Sequence, residues 1–330
     1  MYIRNEIKAS VIWWFCWKHV VFFLLYSLAV YSSYHKLGWK FISIPFLPVG
    51  TIGTAVAFYV GFKNNASYER LWEARKIWGS IANFSRALGI MANSIPDSAR
   101  GLKETLINRQ IAWCKLFSLQ LRERGALRNS HKIPPEVALV KKVYGENYDR
   151  ASVRSFVDSE VTEADRSIIL SAQNPSLRLL ELQVKDAMLL SSLDLERAKV
   201  LLEQILEILV ECVKEQGSAE RLKDFPFPRQ YAYFSGVFVW IFLLLLPFGL
   251  LDELTKVTGL DWLIVPFSTL ISWMFITMEQ VGDSSEDPFE MGLNDVPMSA
   301  ICRNIEIELL SMIDAAQLPE PLLPIGDILL

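Results

Sequence analysis

Residues 41 to 81 read FISIPFLPVGTIGTAVAFYVGFKNNASYERLWEARKIWGSI. The first half, Phe41 to Phe62, is 22 uncharged residues held between Lys40 and Lys63. A helix rises about 1.5 Å per residue, so this stretch is long enough to cross a bilayer core of about 30 Å. The second half is unlike the usual end of a spanning helix. Lys63-Asn64-Asn65 opens a charged, aromatic segment with no Gly or Pro for fifteen residues, so the helix is predicted to run on into water.

The apolar half is also unlike a lipid-facing helix. Gly50, Thr51, Gly53, Thr54, Ala55, Ala57 and Gly61 stand where leucines would be expected, and small residues let helices approach closely. At helical spacing Gly50, Thr54, Phe58 and Phe62 share one face. Either the stripe packs on a neighbouring helix of the same chain, or it lines an axis in a symmetric ring of subunits.

Working outward, 52% hydrophobic residues in a chain of 330 are too many for an ordinary soluble domain, yet the charged segments are too extensive for a chain that is all membrane. A net charge of -4 lacks the basic excess that nucleic-acid binding requires. The four cysteines, Cys16, Cys114, Cys212 and Cys302, are far apart and form no CxxC or Cys/His cluster. They read as isolated buried thiols in a reducing compartment. His19, His35 and His131 are the only histidines and lack metal-ligand spacing. No metal or other cofactor is expected.

Toward the amino end, MYIRNEIKAS is basic and precedes an apolar run without a small-residue cleavage site; it reads as an anchor and not a removable signal. Trp13, Trp14, Trp17 and Lys18 suit the headgroup layer, which leaves a short first span at His19 to Tyr34. The second span is Phe41 to Phe62. Residues 63 to 230 contain no run able to span and read as helical at 67–95, 101–128, 160–173 and 176–216, with loops at 129–136 and 145–151. The capping pattern at 160–173 is Thr162 followed by Asp165. In the last segment Val184, Met188, Leu195, Leu202, Ile205, Leu209 and Cys212 make one apolar face. FPFPRQY at 225–231 returns the chain to the membrane for a third span, Ala232 to Leu251, and a fourth, Trp262 to Met278.

Four spans put both termini on one side. Lys63, Arg70, Arg75, Lys76, Lys214, Arg221, Lys223 and Arg229 flank the central segment, against Lys36, Lys40 and Lys256 in the two short turns. Both termini and the central domain are therefore predicted cytoplasmic. The expected fold is an all-α membrane protein: residues 1–62 with spans one and two, a helical cytoplasmic domain at 63–230, spans three and four at 231–279, and a cytoplasmic loop, helix and tail at 280–330.

After the fourth span, EQVGDSSEDPFEMGLND at 279–295 holds six carboxylates and no base. The spacing is not that of an EF-hand calcium loop. The bland reading is a loop that caps helix starts or pairs with Arg70, Arg75 or Lys76; the sharper one is a cation site. Residues 297–314 form an amphipathic helix, and the proline- and leucine-rich end to Leu330 is expected to lie extended against another surface, with a neighbouring subunit as the natural candidate.

GFKNNASYERLWEARKIWGSI at 61–81 resembles the signature of the bacterial bestrophins. Three more segments agree in order: FPFPRQY at 225–231, LLLLPFGLLDE at 243–253 and EDPFEMGLNDVPMSAICRNIEIELL at 286–310. The region from about 129 to 180 matches loosely. The resemblance implies a homopentamer in the bacterial inner membrane, its second helices around a central pore and a helical basket in the cytoplasm. It implies a hydrophobic neck of three side chains four residues apart, which the GF-basic-NN string places at Thr54, Phe58 and Phe62. Bacterial relatives carry branched aliphatics at the first two places, so Thr54 and Phe58 depart from them, Phe58 toward the animal pattern. A second constriction is expected lower down, sought at Met188, Leu189 and Leu190. The calcium clasp of the animal proteins follows an NPF triplet; here the triplet is Asp287-Pro288-Phe289 and most of the acidic run is missing. Asp295 alone is a poor site, because calcium takes six to eight oxygens.

The resemblance therefore implies a channel for small inorganic ions. A phenyl ring has a positive edge and a negative face: edge-on rings favour an anion, face-on rings a cation, and family members divide on this point. The aromatic neck favours chloride, with a monovalent cation channel as the alternative. From another class, the chain is a membrane-anchored interaction scaffold. Catalysis is disfavoured, since Glu69 and Glu73 sit beside Arg70, Arg75 and Lys76 as helical ion pairs do and nothing supplies a nucleophile, a base and an orienting group.

Overall fold

The computed structural model describes residues 1–4, 6–128, 135–144, 153–192, 198–225, 227–257 and 259–330. Among them the regular structure is helical: α1 (Ala9–His35), α2 (Phe46–Asn93), α3 (Arg100–Arg128), α4 (Pro135–Tyr144), α5 (Val153–Glu160), α6 (Glu163–Leu170), α7 (Pro175–Met188), α8 (Ala198–Asp224), α9 (Arg229–Leu254), α10 (Ile264–Ser284) and α11 (Met298–Met312). Among the described residues four stretches are long and apolar enough to cross a membrane, Val11–His35, Lys40–Asn93, Arg229–Leu254 and Asp261–Ser284. The chain forms two compact units, one of Arg4–Arg70 and Pro226–Glu286, the other of Met1–Ile3, Leu71–Phe225 and Asp287–Leu330.

The limits of the spanning helices depend on where prolines and glycines stand. No Gly or Pro interrupts residues 9 to 37, so α1 takes in the tryptophans and is 27 residues long. The short first span expected from His19 onward is corrected: the helix is about 40 Å long. Pro45 pushes its predecessor out of helical geometry, so α2 starts at Phe46, later than Phe41, and carries Pro48 in its first turn, where the missing N–H costs least. From there it runs unbroken for 48 residues through the charged segment. Likewise α10 continues past Met278 to Ser284, so the first acids after the fourth span are helical.

In the unit of spanning helices, Phe23, Val49, Val56, Val60, Val239, Phe242, Leu243 and Leu246 form the core. The glycines serve close approach there. A methyl group on Gly53 would sit 2.6 Å from the Phe242 ring, and one on Gly249 would sit 3.1 Å from Val49. Pro247 removes one rung from the ladder of α9, and in that loosened turn Tyr26 Oη donates to the Leu244 carbonyl at 2.9 Å. Gly53→Leu is expected to cost about 1–3 kcal/mol by overpacking, read as a lower midpoint of thermal unfolding in detergent; an unchanged midpoint would mean that α2 and α9 do not meet at this glycine.

In the other unit, Trp78, Phe117 and Trp113 stack in sequence, each pair of centroids 5.9 Å apart. Trp113 Nε1 is satisfied by Gln216 Oε1 at 2.9 Å. Gly89 lies under Leu309 and Met312, where a methyl group would meet atoms at 2.5 and 2.7 Å. The single helix expected over 176–216 is corrected. Ser191 and Ser192 donate to the carbonyls of Met188 and Leu189, both at 2.6 Å, and the chain tightens into a 3-10 turn at Leu189–Ser192. Local serine bonds of this kind compete with a continuing helix. The apolar face survives on α8, where Leu202, Ile205, Leu209 and Cys212 are buried; Leu195 lies outside the described residues, as does the loop at 145–151 and most of 129–136, of which Pro135 and Glu136 open α4. Thr162 precedes α6, and its hydroxyl meets Asp165 Oδ2 at 3.0 Å in place of a backbone N–H. All four cysteines are buried and free; burial pushes the thiols of Cys212 and Cys302 up to about 12. The tail's last residues are held by this chain itself: Ile328 and Leu330 pack with Val140 and Met291.

Candidate functional site

Helix α2 has two faces within the spanning unit. Val49, Gly53, Val56, Val60 and Lys63 are buried. On the other face Leu47, Thr51, Thr54, Phe58, Phe62 and Asn65 are exposed, and Phe58 and Phe62 leave 66% and 74% of their surface uncovered. The stripe therefore does not pack on a neighbouring helix of its own chain. Thr51 and Thr54 turn their hydroxyl protons back to the Leu47 and Gly50 carbonyls, at 2.9 and 3.0 Å, so neither proton is offered outward. The result is an uncovered, uncharged face, small at Thr51 and Thr54 and aromatic at Phe58 and Phe62. Such a face suits a constriction that passes partly dehydrated ions and closes by dewetting.

The contacts that fix the inner end of that face were not read from the sequence. Lys63, the first charge after the apolar stretch, has only 1% of its side chain exposed; its Nζ lies 2.6 Å from Glu279 Oε1 and also bonds Asp283. Ser235 Oγ donates to the second Glu279 oxygen at 2.7 Å. The two acids are one helical turn apart on α10, which puts both on the lysine's side. Asn64 Nδ2 donates to the Met278 carbonyl at 3.1 Å, and a methyl group on Gly282 would come within 2.2 Å of Asn64 Oδ1. Lys-Asn at the end of the apolar half of α2 thus clamps the end of α10. The available signal was a lysine and a Glu-x-x-x-Asp pair at the ends of two apolar helices.

The acidic segment resolves into pairs. Arg229 Nη1 lies 3.3 Å from Glu286 Oε1, Arg70 Nε donates to the Glu286 carbonyl at 2.9 Å, and Lys223 bonds Glu290. Arg75 and Lys76 are exposed; of the three expected partners Arg70 meets the segment, at the Glu286 carbonyl, and Lys63, Lys223 and Arg229 join it. Asp295 is 2% exposed and accepts the N–H groups of Glu290 and Gly292, at 2.7 and 2.8 Å. It ties a turn in which Met291 takes φ +64°. Burial pushes its carboxyl up to about 6, the two N–H donors working against that shift. Among the described residues no three metal-binding side chains come together.

Of the three residues considered for a second constriction, Met188 and Leu189 are exposed, at 49% and 56%, whereas Leu190 is fully buried in the core of its unit. Successive residues of a helical turn point in different directions, so the three do not share one face.

Comparison with known proteins gives one answer. The family model described as Bacterial/Fungal Bestrophin protein matches residues 3–311. The voltage-dependent anion channel-forming protein YneE of Escherichia coli (strain K12) is 32% identical over 305 residues, which are 91% of this chain and 87% of that protein. Its namesake in Salmonella typhi is 31% identical over 88% of this chain and 83% of its own length. Among solved structures, a point mutant of a bacterial bestrophin homologue from Klebsiella pneumoniae superimposes with a TM-score of 0.75 at 24% identity, covering 91% of this chain and 99% of its own; that likeness bears on the fold.

Proposed function

Because the chain belongs to the bacterial and fungal bestrophin family, whose members are ion channels and not enzymes, we propose that five copies assemble around one axis and turn Thr54, Phe58 and Phe62 toward it as a hydrophobic neck. The observation that carries this reading is the uncovered face of α2: two phenylalanines on a spanning-length helix that their own chain leaves exposed. A ring of copies gives that face a use that a lone chain lacks. The relatives' names as anion channel-forming proteins support chloride as the permeant ion, with the phenyl edges toward the axis.

We assign residues 63–230 and the segment after 280 to the cytoplasm, with both termini there and the protein in the inner membrane, on the excess of Lys and Arg around the central segment. A lower constriction is assigned to Met188 or Leu189, the two that are exposed. Asp295 serves its own turn in this reading, and no calcium control is assigned.

The deciding experiment is the reversal potential of the purified protein in planar bilayers under a potassium chloride gradient. It is expected to move toward the chloride equilibrium potential. A move toward potassium would make this a cation channel, and silence from a protein that is pentameric by mass would favour a scaffold.

A further inference from the structure

In the unit of Met1–Ile3, Leu71–Phe225 and Asp287–Leu330, a cavity of about 420 Å³ opens among α3, α5, α11 and the chain that comes after α11. Its volume is in the range of sites for small molecules, about 300–1,000 Å³. Among the described residues its lining includes the cationic side chains of Lys115, Arg122 and Arg303 and the carboxylate of Glu160.

The cations are held in place by their neighbours. Arg122 is 8% exposed and its Nη2 donates to Ser299 Oγ at 2.8 Å, which leaves the hydroxyl proton of Ser299 to be donated in turn. Lys115 and Arg303 share a single acid: Lys115 Nζ is 2.6 Å from Glu306 Oε1 and Arg303 Nε is 3.2 Å from Glu306 Oε2. Arg303 Nη1 also reaches the Glu320 carbonyl at 3.3 Å, two residues before Leu322, so the same arginine tethers the segment that forms one wall. That wall is apolar, with Leu322 joining Leu119 and Phe156.

A fixed cluster of guanidinium, ammonium and hydroxyl donors suits an oxyanion, because charge-assisted hydrogen bonds from Arg and Lys are the strong ones. Leu119, Phe156 and Leu322 beside it suit an apolar or planar body attached to that head. We propose that this cavity binds a small organic oxyanion, its head between Arg122, Ser299 and Arg303 and its body against Phe156 and Leu322.

Phenyl phosphate carries both parts and is the probe. Isothermal titration calorimetry on the full-length protein in detergent is expected to show saturable binding at one site per chain. Inorganic phosphate, which lacks the body, and phenol, which lacks the head, are each expected to bind at least about tenfold more weakly. Arg303→Gln is expected to weaken phenyl phosphate by about tenfold, and Ser159→Trp, at an exposed position on the cavity wall, to abolish it by filling the space. Both substitutions spare the buried core, and elution at the native volume verifies that each variant is folded. No saturable heat with phenyl phosphate, equal affinity for phenol, equal affinity for inorganic phosphate, or undiminished binding in both folded variants would each overturn the proposal.

Discussion

Lys63→Met is expected to destabilise the spanning unit by about 3–5 kcal/mol, the usual cost of removing one partner from a buried ion pair. The lysine side chain is 1% exposed and the Glu279 side chain 9%, so the carboxylate left behind has no water to replace the ammonium. Ser235 still donates to one oxygen, but a single hydroxyl does not compensate a charge. Against a total stability of about 5–15 kcal/mol, the loss reads as a large drop in the thermal midpoint and in the yield of folded protein. Glu279→Gln is expected to be milder, because its amide oxygen still accepts a hydrogen bond and Lys63 keeps Asp283. Lys63→Met combined with Glu279→Gln is therefore expected to be more stable than Lys63→Met alone, since residues in one network do not add. A strictly additive double mutant would show that the two groups do not interact in solution.

How much of this was legible in the sequence depends on the distance over which residues cooperate. The unbroken course of α2 was readable, because length, hydropathy and the absence of Gly and Pro act locally. So was the shared face of Thr54, Phe58 and Phe62, which is a matter of helical period. Which way that face points was not readable from period alone, since packing on the same chain and lining a ring leave the same spacing. The family string around Lys63 narrowed that choice without giving its physical cause. Lys63 and Glu279 are 216 residues apart, and no local pattern links them; the nearest basic run contributes Arg70, to the Glu286 carbonyl, while the buried lysine takes Glu279 and Asp283. The break after Met188 was missed for the opposite reason. Apolar period continues from α7 into α8, and two serine hydroxyls outweigh it. Of the three residues considered for the lower constriction, Leu190 belongs to the core, a long-range packing that a run of consecutive apolar residues does not announce.

Two phenylalanines of the spanning unit separate packing from permeation. Phe242 is 5% exposed and fills the space over Gly53, so Phe242→Ala is expected to cost about 3–5 kcal/mol, read as a large drop in the thermal midpoint. Phe58 is 66% exposed on a face that the described residues of its own chain leave uncovered, so Phe58→Ala is expected to leave the thermal midpoint within the small range of surface substitutions, about 0.5 kcal/mol. If the face lines a pore, however, one substitution removes a ring from every subunit at the same depth. A hydrophobic constriction resists ions chiefly by shedding water, and replacing its rings by methyl groups widens it and keeps it wet. Single-channel conductance in planar bilayers is therefore expected to rise severalfold. The reversal potential under a potassium chloride gradient is expected to move from the chloride value toward zero, as the oriented phenyl edges that favoured the anion are gone. An intact pentamer with unchanged conductance and selectivity would remove Phe58 from the ion path. A dissociated oligomer would instead assign the exposed ring to contacts between subunits, and Phe62→Ala, one turn further along the same face, would then decide whether the stripe meets the axis or a neighbouring helix.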